Sequence, residues 1–113
     1  MILWHNPRCS KSRAALKLLE QAGAQVRVRR YLENAPSRQE LAALLKALGR
    51  PVIDMVRTGE AAFREAGLSK TDDDARLLQA MADYPILIER PVAIHDGRAV
   101  IGRPPEDVLR LLD

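Results

Sequence analysis

The chain has 113 residues, of which 47% are hydrophobic and 29% charged, which suits one domain spanning 1–113 around a single aliphatic core. Its formal charge is +3, with one cysteine and few aromatic residues. That excludes an internal disulfide framework, a cysteine-rich zinc site and a stacking platform for nucleic acid, so no nucleic-acid partner is expected. The N-terminus lacks the layout of a signal peptide, and no apolar run approaches the ~20 residues needed to cross a bilayer. A reducing cytoplasmic setting without membrane attachment is expected, in which an exposed thiol survives.

Ile2 to Trp4 is a short apolar run ended by the turn signal Asn6-Pro7. Ser10 or Ser12 can cap a helix carrying Ala15, Leu16, Leu19 and Ala22, with Gly23 as its stop. Val26, Val28 and Tyr31, with Arg27 and Arg29 interposed, suit a strand with one wet face. These elements read β-α-β, a parallel pair with a right-handed crossover. Ser37 and Glu40 have capping-box spacing ahead of the stripe Leu41, Leu44, Leu45 and Leu48. Shorter segments follow at Pro51 to Val56 and Glu60 to Ala66, then a helix from about Asp72 to Ala82, with Thr71, Asp72, Asp73 and Asp74 at its start. After Tyr84-Pro85 come the apolar triplets Ile86-Leu87-Ile88 and Val92-Ala93-Ile94. Asp96-Gly97 is a hairpin dipeptide, Ala99-Val100-Ile101 returns, and Pro104-Pro105-Glu106 opens a last helix.

A β-α-β unit, a helical insertion, then a hairpin and closing helix match a thioredoxin-like α/β fold: a four-stranded mixed sheet flanked by helices. Ligands of open α/β sheets gather beyond the carboxyl ends of strands, where the loop after the first strand lies. Cys9 is in that loop. A lone cysteine is often a small buried apolar residue, but this one follows a turn and is surrounded by Arg8, Lys11, Arg13, Ser10 and Ser12. Cations and free helix N–H groups stabilise a thiolate, so the segment is expected to expose a reactive thiol beside an oxyanion site.

His5-Asn6-Pro7-Arg8-Cys9-Ser10-Lys11-Ser12-Arg13 resembles the His-Asn-Pro-x-Cys-x-x-Ser-Arg signature of the glutaredoxin-linked arsenate reductase family. Ile86 to Pro91 resembles its second signature and Gly102-Arg103-Pro104 its third. The resemblance covers essentially the whole chain. It extends to the family's short members, because the chain stops at Asp113, soon after Arg103, where dedicated reductases usually carry a further tail.

The resemblance implies Cys9 as nucleophile, His5 as an aid to thiolate formation, and Arg57, Arg90 and Arg103 as oxyanion-binding arginines. Ser12 and Arg13 of the first signature join the expected substrate-binding residues, and Pro91 corresponds to a structural cis proline. It also implies reduction of arsenate to arsenite, with glutathione as co-substrate, glutaredoxin as partner and no tightly bound cofactor. No metal is expected, because His5, His95 and Cys9 lack ligand spacing. Two alternatives stay open: a related glutathione-linked thiol oxidoreductase with another substrate, and a redox-linked transcription regulator that binds RNA polymerase. Ser12 stands where such regulators usually carry a second cysteine.

Overall fold

Strand β1 (Ile2–Trp4) lies inside a four-stranded sheet of order β2-β1-β3-β4, with β2 at Arg27–Arg29, β3 at Val92–His95 and β4 at Arg98–Ile101. These positions come from a computed structural model that describes residues 1–112. Asp113, which closes the expected 1–113 domain, lies outside the described residues. The chain divides into two units, Met1–Asn34 with Arg90–Asp113, and Ala35–Glu89.

In the first unit β1 runs parallel to β2 and antiparallel to β3, and β3 pairs antiparallel with β4. The register aligns Leu3 with Ala93, and Ala93 with Val100. Because side chains alternate across a sheet, this row faces one side. Helix α1 (Ser10–Gln21) and a closing 3₁₀ helix (Pro105–Leu112) pack on each other, and a core of Leu3, Ala15, Leu19, Ala93, Val108 and Leu111 forms between them and the sheet. The alternate row contains Trp4, Val92 and Ile101, all buried, with the Arg29 guanidinium 5.4 Å from the centre of the Trp4 ring.

Asp96 and Gly97 make the hairpin turn with φ of 49° and 74°, conformations that Asp-Gly tolerates. The expected second strand is shorter than its apolar pattern, and as an edge strand it leaves Val28 exposed. The last helix is 3₁₀ and not α. Three residues per turn put Val108 and Leu111 on one line, and both are buried.

In the second unit helix α2 (Arg38–Leu48) has the complete capping box. Glu40 N–H donates to Ser37 Oγ at 3.1 Å, and Ser37 N–H donates to Glu40 Oε1 at 3.0 Å. Gly49 ends it in the left-handed conformation. Helix α2 packs on α4 (Asp74–Asp83), and the short α3 (Ala61–Glu65) inserts Phe63. Within the acidic run it is Asp73 that caps α4, accepting Arg76 N–H, while Asp72 accepts Ser69 N–H. Ile86-Leu87-Ile88 does not form a strand. Pro85–Leu87 is a 3₁₀ turn, and the extended backbone is limited to a bridge between Val56 and Ile88. Arg57 N–H to Leu87 O and Glu89 N–H to Met55 O, both 2.7 Å, close that bridge.

Candidate active site

Cys9 is the N-cap of α1, with extended backbone angles of −92° and 122°. The expected caps, Ser10 and Ser12, fall at the first and third helical positions instead. An N-cap side chain normally accepts the free N–H groups of the first turn. Cys9 makes no such side-chain cap bond, but its half-buried thiol is close enough to the first-turn N–H groups of Ser12 and Lys11 for both to favour its charged form. Burial works against ionisation of Cys9. The Ser12 N–H, the Arg90 guanidinium and the Lys11 N–H outweigh it and hold the thiol pKa below its ordinary value.

Two of the three expected arginines meet at this thiol. Arg103 Nη2 lies 4.0 Å from Cys9 Sγ, and Arg103 Nε donates to the Arg90 carbonyl at 2.9 Å. Arg90 supplies both a hydrogen bond and a positive charge to the sulfur. Each arginine precedes a cis peptide bond, Arg90-Pro91 and Arg103-Pro104. Gly102 N–H donates to Pro91 O at 2.8 Å. A Cβ on Gly102 would come within 2.7 Å of Pro91 Cγ and 3.0 Å of Val108 Cγ1, so the close approach of the two arginine-bearing segments requires glycine.

His5 and Ser12 are buried. His5 Nδ1 lies 2.6 Å from Ser12 Oγ, which also accepts the Asn6 N–H at 3.0 Å. Burial, followed by the charges of Arg30 and Arg13, lowers the His5 pKa, so the imidazole is neutral at neutral pH. Ser12 is expected as a substrate contact; in the structure its hydroxyl is bonded to His5 and Asn6, and its N–H favours the Cys9 thiolate. Arg13 is exposed, and its Nη1 donates to Pro7 O at 2.9 Å.

Arg57 belongs to the second unit. Its Nε and Nη1 donate to Glu60 and Glu89 at 3.1 and 3.0 Å, in a cleft also lined by Val56, Thr58 and Gly59. Burial opposes its charge, but the two carboxylates more than offset that and raise its pKa. Nothing local in the sequence marked Glu89 as its partner, because the pair spans 32 positions. Asn6 was also absent from the expected site residues, although it is buried within the thiol loop. Among the described residues no cluster of His, Cys, Asp and Glu could hold a metal, and no helix is long and apolar enough to cross a membrane.

A thiol at the start of a helix beside a mixed β2-β1-β3-β4 sheet, with arginines from two X-Pro segments near its sulfur, defines a thioredoxin-like thiol protein. Comparison with known proteins narrows this. The ArsC family model matches residues 4–111, and the chain belongs to the ArsC family. It is 42% identical over 112 residues to an arsenate reductase of Neisseria meningitidis, covering 97% of this chain and 96% of that one. It is also 42% identical over 114 residues to an arsenate reductase of Haemophilus influenzae, covering 99% and 98%. The solved structure of an arsenate reductase from Vibrio cholerae superposes with a TM-score of 0.92 at 45% identity, over 97% of this chain and 95% of that chain.

Proposed function

We propose that this protein reduces arsenate to arsenite, with Cys9 as the nucleophile. The observation that carries the proposal is the thiol at the N-terminus of α1 with Arg103 at 4.0 Å and Arg90 lowering its pKa. The thiolate attacks arsenic, an S–As bond forms, and one arsenate oxygen leaves as water. Arg90 and Arg103 neutralise the oxyanion through planar, charge-assisted hydrogen bonds, and the first-turn N–H groups add to the positive potential.

The chain has one cysteine, so the two electrons come from external thiols. Glutathione is the first and glutaredoxin the second: one arsenate and two thiols give arsenite, one disulfide and one water. The adduct's S–As bond is finally hydrolysed and Cys9 is restored. His5 acts as a positioning residue through Ser12, whose N–H supports the thiolate. The oxyanion-binding role of Arg57 rests on the family resemblance through the short match Met55-Val56-Arg57, and an Arg57→Ala variant with an unchanged KM for arsenate would remove it. A cytoplasmic location follows from the dependence on these reductants.

The test is arsenate-dependent NADPH oxidation coupled through glutathione, glutaredoxin and glutathione reductase. Wild type should turn over, and Cys9→Ser should fall to background. Turnover retained by Cys9→Ser contradicts the scheme. If neither protein turns over arsenate while Cys9 still exchanges with glutathione mixed disulfides, the function is that of a related thiol oxidoreductase. The regulator alternative has less support, because Ser12, in the position of a second cysteine, is fully buried and bonded to His5.

A further inference from the structure

Asn6 makes three attachments inside the thiol loop. Its Oδ1 accepts the Arg8 N–H at 3.0 Å, its carbonyl accepts the Cys9 N–H at 3.0 Å, and its own N–H donates to Ser12 Oγ at 3.0 Å. The residue is buried, so the attachments are shielded from competing water. The residue before the thiol, the thiol's own N–H and the first turn of α1 are thereby tied to a single side chain and peptide. The side-chain bond to the N–H two residues on is an Asx turn, which Asn and Asp make equally well.

We infer that Asn6 is the positioning residue that seats Cys9 on the start of α1, and that its side chain must be an uncharged acceptor. The contact itself needs only an oxygen, so hydrogen bonding does not distinguish Asn from Asp. Charge does. A carboxylate one turn from Cys9 would oppose a thiolate and an incoming oxyanion alike, and would cancel part of the positive field of Arg8, Lys11 and Arg13. The neutral carboxamide keeps the turn without that penalty.

The inference takes from the proposed function only that Cys9 reacts as a thiolate. It is therefore tested without arsenate, by the pH dependence of Cys9 alkylation with iodoacetamide in the full-length protein, alongside thermal unfolding. Asn6→Asp keeps the acceptor and should unfold within a few degrees of wild type. Its thiol should titrate higher, so that alkylation at neutral pH is about tenfold slower and recovers in alkali. Asn6→Ala frees the Arg8 N–H and should also titrate higher, toward an ordinary cysteine. A purely structural role would lower the melting temperature and leave the titration in place. A wild-type titration in either folded variant overturns the proposal, and so does an Asn6→Asp protein that fails to fold. If Asn6→Ala does not fold, Asn6→Asp decides alone. Loss of arsenate turnover with an unaltered wild-type thiol titration would count against the proposed function and not against Asn6.

Discussion

The pKa of Cys9 is lowered by groups that sequence proximity only half reveals. Lys11 and Ser12 are adjacent in the chain, and their N–H groups could be anticipated once a helix start was placed there. Arg90 and Arg103 come from the far end of the chain, and only the signature resemblance pointed to them. The lowered thiol pKa has a definite sign: the thiolate persists to lower pH than that of an ordinary cysteine and is lost as pH falls through the depressed value. The alkylation rate of Cys9 should therefore reach half its maximum below the pH typical of a free cysteine. Arg103→Ala removes a charged donor near the sulfur and the tether to the Arg90 carbonyl. Hydrogen bonds to charged groups are worth roughly 1.5–3 kcal/mol, so kcat/KM for arsenate should fall by about ten- to a hundredfold. Arg103→Lys should recover only part, because an ammonium lacks the planar fork.

At the scale of elements, locally encoded features could be read from the sequence, and those set by tertiary contacts could not. The Ser37–Glu40 capping box and the Asp96-Gly97 turn each close within four residues, so spacing alone identified them. The sequence assigns no element to the 3₁₀ turn at Pro85–Leu87, because an apolar triplet carries no periodicity to tell a strand from a helical turn. Ser12 looked like a cap or a substrate contact. Its burial against His5 depends on β1 and α1 being brought together, which no local pattern states. Ser12→Ala would leave buried groups of His5 and Asn6 without their partner, at a cost of about 1–3 kcal/mol, so the melting temperature should drop by several degrees. Ser37→Ala should cost about 1 kcal/mol through the lost cap and leave the pH profile of Cys9 alkylation unchanged. Differential scanning calorimetry of the two variants separates these outcomes.

Across the whole molecule, the four-stranded mixed sheet and the helical insertion were legible because β-α-β and hairpin signals are both short-range, while the pairing of β1 with β3 that sets the strand order was not. The insertion's organisation as a unit of its own, with Arg57 held by Glu60 and Glu89, was not. Stability should also depend on pH in a defined direction. His5 is buried with a lowered pKa, so the unfolded chain binds a proton more readily than the folded one. The protein should keep its full His5 contribution above the ordinary histidine value and lose it as pH falls through the lowered folded value. A His5→Gln variant should show a flatter fall in melting temperature over that window.

The claim on which the rest depends is that an oxyanion binds at the Cys9 thiolate and is held there by Arg90 and Arg103. Its most direct test is protection of Cys9 from iodoacetamide by arsenate, in the absence of any reductant. Arsenate should slow alkylation of wild type in a saturable manner, and Arg103→Ala should need at least about tenfold more arsenate for the same protection. Alkylation of wild type that is indifferent to arsenate at every concentration would contradict the account.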